Sequence, residues 1–526
     1  MPSADAARRG GYMQLSLFVL LALLCAQPVT AATYYISNTD GLDTRTAAQA
    51  QSTTTPWKNV RGMACATSNA ASYTPVAGDI FIFKGGDTWS NACFELNWVW
   101  SGTTGNRITL GVDETWYLGG SWARPVWTGN NIVMASGANN RMIAWGGDFV
   151  TISNIEMTGG NWTSPTGSGS SCYVCLAGGT DGIFEKLYLH GWTDPTGDGW
   201  GIVGSGSIAP NHTFRYIVID GSDTATVTAD PDCTGNCYGG ITAFYQPGDG
   251  GIFYGNVVRY VCNAYIIQAS RFYNNLIEYV RNCQGPTHEN AYLNLRDFCS
   301  TGTWAYNNLI RHVFGGVTFW MEPQVSCAAT YAFNNVIYNV NTAGTPGNVF
   351  NISGGSTDSN GTGYFYNNTI ECGPDTNPTD TCFNIDPGGS WTIKNSHLIT
   401  SHADPINGTT AAESNNTIQT KAAANAQGYT SAQTYGFSPT DAGDATVLAG
   451  ADLTSTCATV AALCSDAEYG VNFNVTTHVA SSVGRTAVAR PSGSAWDTGA
   501  YDQDGSSPPP STGTPHPRAV LPRRIR

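Results

Sequence analysis

Charge is what this chain is short of. Only 12% of its 526 residues are charged, lysines number five, and 24 Lys+Arg stand against 38 Asp+Glu, for a net charge of −14. That balance argues against a nucleic-acid partner, because phosphate binding requires a positive face. The deficit does not mean disorder, which goes with high charge and few aromatics; here aromatic residues reach 11%, with 61 Gly. Long apolar runs are also missing. The longest, "LSLFVLLALLCA" (15–26), is too short to span a bilayer, so no membrane span is expected. Arg8 and Arg9 precede that run and the small residues "VTAA" (29–32) follow it. This is the pattern of an export signal, giving a signal peptide over 1–32 and a secreted, extracellular or periplasmic protein.

Removing Cys25 with the signal leaves fourteen of fifteen cysteines (15 − 1), an even number for an oxidising compartment. They fall as sequence neighbours: 65/93, 172/175, 233/237, 262/283, 299/327, 372/382 and 457/464. Cys172 and Cys175 lack a second close Cys/His pair of zinc-finger spacing, so disulfides are the better reading.

What the chain does contain is a repeat. "FYNNLI" from Phe272 returns as "AYNNLI" from Ala305, "AFNNVI" from Ala332 and "FYNNTI" from Phe365. The second Asn of each pair is Asn275, Asn308, Asn335 and Asn368, with weaker matches at Asn154, Asn256 and Asn395. From Asn256 onward the gaps are 19, 33, 27, 33 and 27 residues, as in a solenoid with loops of variable length. The flanking apolar runs are short, β-branched and aromatic, hence strands. Three strands and three turns fit each period, which makes one coil of a parallel β-helix. Coils stack about 4.8 Å apart. A column of Asn then serves twice, tolerating the left-handed corner and bonding up and down a buried amide ladder. The aromatic two positions before the marker and the Ile or Val two after it are expected to fill the core.

"TYYISNTDG" (33–41), "TPWKNV" (55–60), "AGDIFIFKGGDTW" (77–89) and "RPSGSAWDTGAYD" (490–502) resemble the start and finish of secreted right-handed parallel β-helix proteins. These form the pectate-lyase-like superfamily of polysaccharide lyases, glycoside hydrolases and alginate epimerases. The resemblance covers roughly residues 33–503 and implies an all-β, single-stranded right-handed parallel β-helix. It does not extend to two well-known motifs, since neither "RxPxxR" nor "GHG" followed by "RIK" occurs. The Ala/Thr-rich stretch from about 420 to 480 reads as long loops or an end cap, and 504–526 as a disordered Pro/Ser-rich basic tail. Eight N-x-S/T sequons, among them Asn367, permit glycosylation in a eukaryotic source.

In this superfamily the "NN" corner joins the second and third strands of a coil, and the substrate groove lies over the first. First strands are then expected at 240–246, 263–268, 289–294, 316–322, 348–353 and 382–386. Alternation puts Val317, Phe319 and Met321 inside and Thr318, Trp320 and Glu322 outside. The expected outer columns are Gln246, Gln268, Asn294, Glu322 and Asp386, beside Phe244, Ile266, Tyr292, Trp320 and Phe350. Amides that read hydroxyls beside flat rings suit a sugar, though an ordinary solvated sheet face has the same composition.

"THENAYLNLRD" (287–297) breaks the repeat and gathers reactive groups. His288 suits proton transfer, Arg296 pairing with a uronate carboxylate, and Tyr292 protonation of a leaving oxygen, together a lyase set. Asp297 and Glu322 are the carboxyl pair a hydrolase needs. Arg271, Arg296 and Arg311 are the cations open to an anionic polymer. Asp194 and Asp198, in "HGWTDPTGDGW", read as turn residues or Ca²⁺ ligands; nothing in the sequence requires a cofactor. The expected partner is a polysaccharide, cleaved by β-elimination or hydrolysis, and the protein is expected to be a monomer. The competing reading is a non-catalytic β-helix that binds glycans.

Overall fold

The computed structural model describes residues 30–133, 141–161, 172–192, 202–205, 210–223, 242–245, 250–261, 263–267, 269–281, 291–296, 302–314, 317–322, 329–340, 348–352, 361–373, 381–385, 388–408, 411–483 and 485–503. Among these, strands build three parallel sheets of 11, 13 and 12 strands, each strand paired with its counterpart one coil away. We call them the first, second and third sheets, in the order in which a coil visits them. This is a parallel β-helix. The expected first strands appear at Thr242–Tyr245, Asn263–Ile267, Ala291–Arg296, Val317–Glu322, Phe350–Ile352 and Phe383–Ile385.

Inward columns form the core. On the second sheet Phe184, Phe214 and Phe253 stack at 5.1 and 4.7 Å, and on the first sheet Phe319, Phe350 and Phe383 stack at 4.8 and 4.9 Å. Ile277, Ile310, Ile337 and Ile370, two after each marker Asn, are core residues as expected. The aromatics two before it do not enter that core, although Phe333 and Tyr366 are buried in a separate cluster. Phe272, Ala305, Ala332 and Phe365, three before, point inward instead. Tyr273, Tyr306 and Phe333 stack at 4.8 Å on the outer side, where Tyr306 and Phe333 join a separate cluster with Trp496.

The "NN" corner joins the second and third sheets and divides its two tasks between its two residues. The first Asn takes the left-handed conformation, with φ of 54, 56, 55 and 51° at Asn274, Asn307, Asn334 and Asn367. The second builds the ladder. Asn308 Nδ2 donates to Phe272 O (3.1 Å) and Asn335 Oδ1 (2.9 Å), while its Oδ1 accepts from the backbone N and Nδ2 of Asn275, both at 3.0 Å. Two donors and two acceptors exhaust an amide. The ladder runs Asn256, Asn275, Asn308, Asn335, Asn368, Ser396 and Asn416. Asn154 and Asn395, with φ of 63 and 56°, therefore belong to the left-handed column and not to the ladder.

The first Asn also holds the C-terminal segment, which turns back along this corner after the last coil. Nδ2 of Asn395 donates to Ala451 O (2.8 Å), of Asn367 to Asp497 O (3.0 Å) and of Asn334 to Ser465 O (2.8 Å). The antiparallel hairpin Asn472–Asn474 and Val479–Ser481 carries the strap to the early coils, where Arg124 donates to Thr477 O (3.2 Å) and His478 O (3.1 Å). Asn367, a sequon residue, is fully buried beneath the strap, so a glycan has no room there.

Four expected disulfides are present: Cys65–Cys93, Cys172–Cys175, Cys372–Cys382 and Cys457–Cys464. The pairs 233/237, 262/283 and 299/327, residues 1–29 of the signal peptide expected over 1–32, and the tail expected over 504–526 lie outside the described residues. No described helix is long and apolar enough to cross a membrane.

Candidate functional site

The register of the first sheet decides which side chains share a level. Phe244, Tyr265, Leu293, Phe319, Phe350 and Phe383 align, and the four phenylalanines are fully buried. Phe244 and Phe350 are thus core residues, not parts of an outer aromatic stripe. One position on, Tyr245, Ile266, Asn294, Trp320, Asn351, Asn384 and Asn407 share the next level. Seven strands span about 29 Å at the usual spacing. The two expected columns are replaced by one, mixing rings and amides.

Tyr245, Trp320, Asn351 and Asn384 are half-buried there, and Asn407 is exposed. Asn384 Nδ2 donates to Asn351 Oδ1 (2.8 Å) and Asn407 Nδ2 to Asn384 Oδ1 (3.2 Å). Thr318, expected outside, is fully buried. The alternation holds at Phe319 and Met321, which are buried, and at Trp320, which is half-buried.

Asn294 faces Trp320, whereas Glu322 faces Arg296 on the adjacent strand, so Asn294 and Glu322 do not share the column expected of them. Arg296 and Glu322 are therefore brought together at the strand ends. Tyr292 lies on the same strand as Arg296. His288, Asp297, Gln246, Gln268, Asp386, Asp194 and Asp198 lie outside the described residues. Among the described residues no group of three or more His, Cys, Asp or Glu side chains is disposed to hold a metal ion.

Two of the three candidate cations are elsewhere. Arg271 sits on the second sheet, its guanidinium 3.7 Å from the Trp304 ring centroid and donating to Ser270 O at 2.7 Å. Arg311 sits on the third sheet, paired with Glu278 at 2.7 Å and hydrogen-bonded to Tyr338 Oη at 3.2 Å. It belongs to an outer level running His190, Asp220, Arg259, Glu278, Arg311 and Tyr338. Arg259 lies 3.9 Å from Asp220 and 3.4 Å from Glu278, and 5.3 Å from the Phe473 ring of the strap. These charges bind the strap and one another, and Arg296 is the candidate cation left on the first sheet.

Sequence reasoning missed a cluster at the upstream end of that level. His190 is clamped between Asp223 (Nδ1 to Oδ2, 2.6 Å) and Glu156 (Nε2 to Oε1, 3.1 Å). Burial pulls its pKa down, but the hydrogen bonds and charges of Asp223 and Glu156 outweigh that and hold it up at about 9. Tyr188 stacks between His190 and His478, with centroids 3.9 and 4.2 Å away. A signal was available: Glu156, His190 and Asp223 are spaced 34 and 33 residues apart, one coil each.

No family model matches the chain, and no curated protein matches it. Solved structures similar to it include pectate lyase Pel9A, at 13% identity over 91% of this chain and 98% of that one, with a TM-score of 0.43. A PL6 family polysaccharide lyase from Pseudopedobacter saltans is 13% identical over 66% of this chain and 90% of that one, with a TM-score of 0.41. A GH136 lacto-N-biosidase from Eubacterium ramulus is 13% identical over 74% and 68%, with a TM-score of 0.37.

Proposed function

We propose that the chain is a secreted, polysaccharide-active enzyme that binds its substrate along the outer face of the first sheet. The observation that carries this reading is the continuous level from Tyr245 to Asn407, where Trp320 offers a flat face and Asn351, Asn384 and Asn407 offer amides. Among the described residues Asn384 spends one donor and one acceptor on its neighbours, which leaves half its capacity for hydroxyl groups. The disulfides fit an oxidising compartment.

β-Elimination is the favoured reaction. Arg296 steadies the charge that develops on a uronate, His288 takes the proton beside the carboxylate, and Tyr292 returns one to the leaving oxygen. Glu322 stands across the strand pair from Arg296 in the register of the first sheet. Hydrolysis of a neutral glycan by Asp297 and Glu322 is the second reading. It is favoured by one observation, the engagement of Arg271 and Arg311 away from this face.

A panel of uronic-acid and neutral polysaccharides separates the readings. Rising ultraviolet absorbance of an unsaturated product on a uronate polymer supports elimination, whereas reducing ends without that absorbance identify hydrolysis. Binding without turnover, unchanged when His288, Arg296 and Glu322 all become Ala, leaves a glycan-binding β-helix.

A further inference from the structure

A cavity lies on the opposite edge of the coil from the first-sheet face, between the early coils and the hairpin of the strap. It has a volume of about 400 Å³, within the range of small-molecule sites, and opens to solvent. Trp122, Tyr216 and His478 supply its rings and Glu114, Glu156, Arg124 and Lys186 its charges. We propose that this cavity is a binding site for a neutral sugar ring, separate from the first-sheet face.

Three observations carry the proposal. The rings are seated on glycines that leave room for nothing else. A Cβ added at Gly85 would meet the Trp122 ring at 2.2 Å, and one added at Gly255 would meet the Tyr216 ring at 2.6 Å. Both aromatic faces are thereby fixed before any ligand arrives, which lowers the ordering cost of binding.

The backbone is strained where it borders the cavity. From Gly255 onward the left-handed corner is occupied by Gly or Asn, the residues that tolerate it, as far as Asn415. The two preceding coils place Lys186 (φ 54°) and Tyr216 (φ 55°) there, and both line the cavity. A side chain of this kind in the left-handed region costs roughly 1–2 kcal/mol. Such a cost persists where the side chain is needed.

The charges are balanced and partly spent. Arg124 is committed to Asn154 Oδ1 (3.2 Å) and to the hairpin carbonyls, and Glu156 to His190. Glu114 accepts from Asn154 Nδ2 at 3.1 Å through one oxygen, and the ammonium of exposed Lys186 has no hydrogen-bond or ion-pair partner among the described residues. An anion would meet the two carboxylates and a cation the two basic groups. A vicinal diol suits both signs, donating to Glu114 and accepting from Lys186, while the ring's apolar face lies on Trp122.

Isothermal titration of the full chain with neutral mono- and oligosaccharides (glucose, galactose, mannose, xylose, N-acetylglucosamine and their short oligomers) tests this. Trp122→Ala should weaken binding at least tenfold and Lys186→Gly severalfold, and both losses should be the same when Trp320→Ala is present, which removes the ring of the first-sheet face. Lys186→Gly relieves the left-handed strain, so loss of binding in that variant is not a folding defect; thermal melts check Trp122→Ala. Absence of binding by every neutral sugar overturns the proposal, as does binding confined to uronates or abolished by Trp320→Ala but not by Trp122→Ala. Because the two faces are probed by different variants, failure here leaves the first-sheet reading standing, and the reverse.

Discussion

Two columns of asparagine run along this molecule, and they are finished in opposite ways. At the corner between the second and third sheets, Asn275, Asn308 and Asn335 are fully buried and each amide uses its donors and acceptors within the fold. On the first sheet, Asn351 and Asn384 are half-buried, Asn407 is exposed, and they bond one another once per coil. The residue type, the stacking and the period are the same. What differs is whether hydrogen-bonding capacity is left over among the described residues. Saturated amides hold coils together, since a buried amide that loses its partner incurs a desolvation cost of about 1–3 kcal/mol. Unsaturated amides beside a ring are what the proposed glycan-binding face requires.

The largest effect expected from that contrast is on turnover. Glu322→Gln and Arg296→Ala should each lower the rate of glycan cleavage by about 10²–10⁴, the usual worth of a positioned acid–base or charge-stabilising group. Melting temperatures should stay close to that of the parent. Steady-state assays beside thermal melts check this, and a stability loss in proportion to the activity loss would return both residues to the scaffold.

The scaffold column should behave in the opposite way. Asn335→Ala removes both of its donations, to Ala305 O and Asn368 Oδ1, and strands the backbone N and one Nδ2 hydrogen of Asn308. About 3 kcal/mol of stability should be lost, read as a lower urea midpoint. Asn384→Ala, the matching change on the first sheet, should cost under about 0.5 kcal/mol. Equal losses at the two positions would erase the distinction between the columns.

How much of this the sequence could disclose follows from what sets each feature. The corner was legible because it is local: the "NN" pair, the strand lengths and the core Ile all lie within six residues. Even so, reading one Asn as both corner and ladder blurred a division of labour visible in the pair itself, and it put Asn154 and Asn395 in the wrong column. The first-sheet strands were legible as segments, but their register was not. Aligning strand ends matched Asn294 with Glu322, while the core Phe column matches Asn294 with Trp320. Loops of different length move strand ends without moving the core, so the inward residues fix the level. The strap carries no period, and nothing local tells that Ser465 and Asp497 find Asn334 and Asn367.

A pH-dependent effect of intermediate size is expected where the strap meets the early coils. His190 has its pKa raised to about 9 in the fold, against an ordinary value near 6.5. Its contribution is therefore complete below about pH 6.5 and is lost as pH rises through about 9, up to roughly 3 kcal/mol. Stability measured from pH 7 to 10 should fall more steeply in the parent than in His190→Gln. Parallel curves would mean that the imidazolium between Glu156 and Asp223 does not hold this end.

The smallest change separates the two residues of a single corner. Asn334→Gly removes the donation to Ser465 O and an acceptor for Arg490, yet Arg490 keeps Asp502 and the carbonyls of Gly499 and Ala500. Glycine at φ 55° relieves the left-handed cost, which offsets the lost hydrogen bonds, so global stability should move by less than about 1 kcal/mol. The strap, held at that rung through the lost amide, should open more often, and limited proteolysis between about 460 and 490 should quicken severalfold. Unchanged cleavage would mean that packing around Trp496 and Leu463, more than the left-handed asparagines, fixes the strap to the corner.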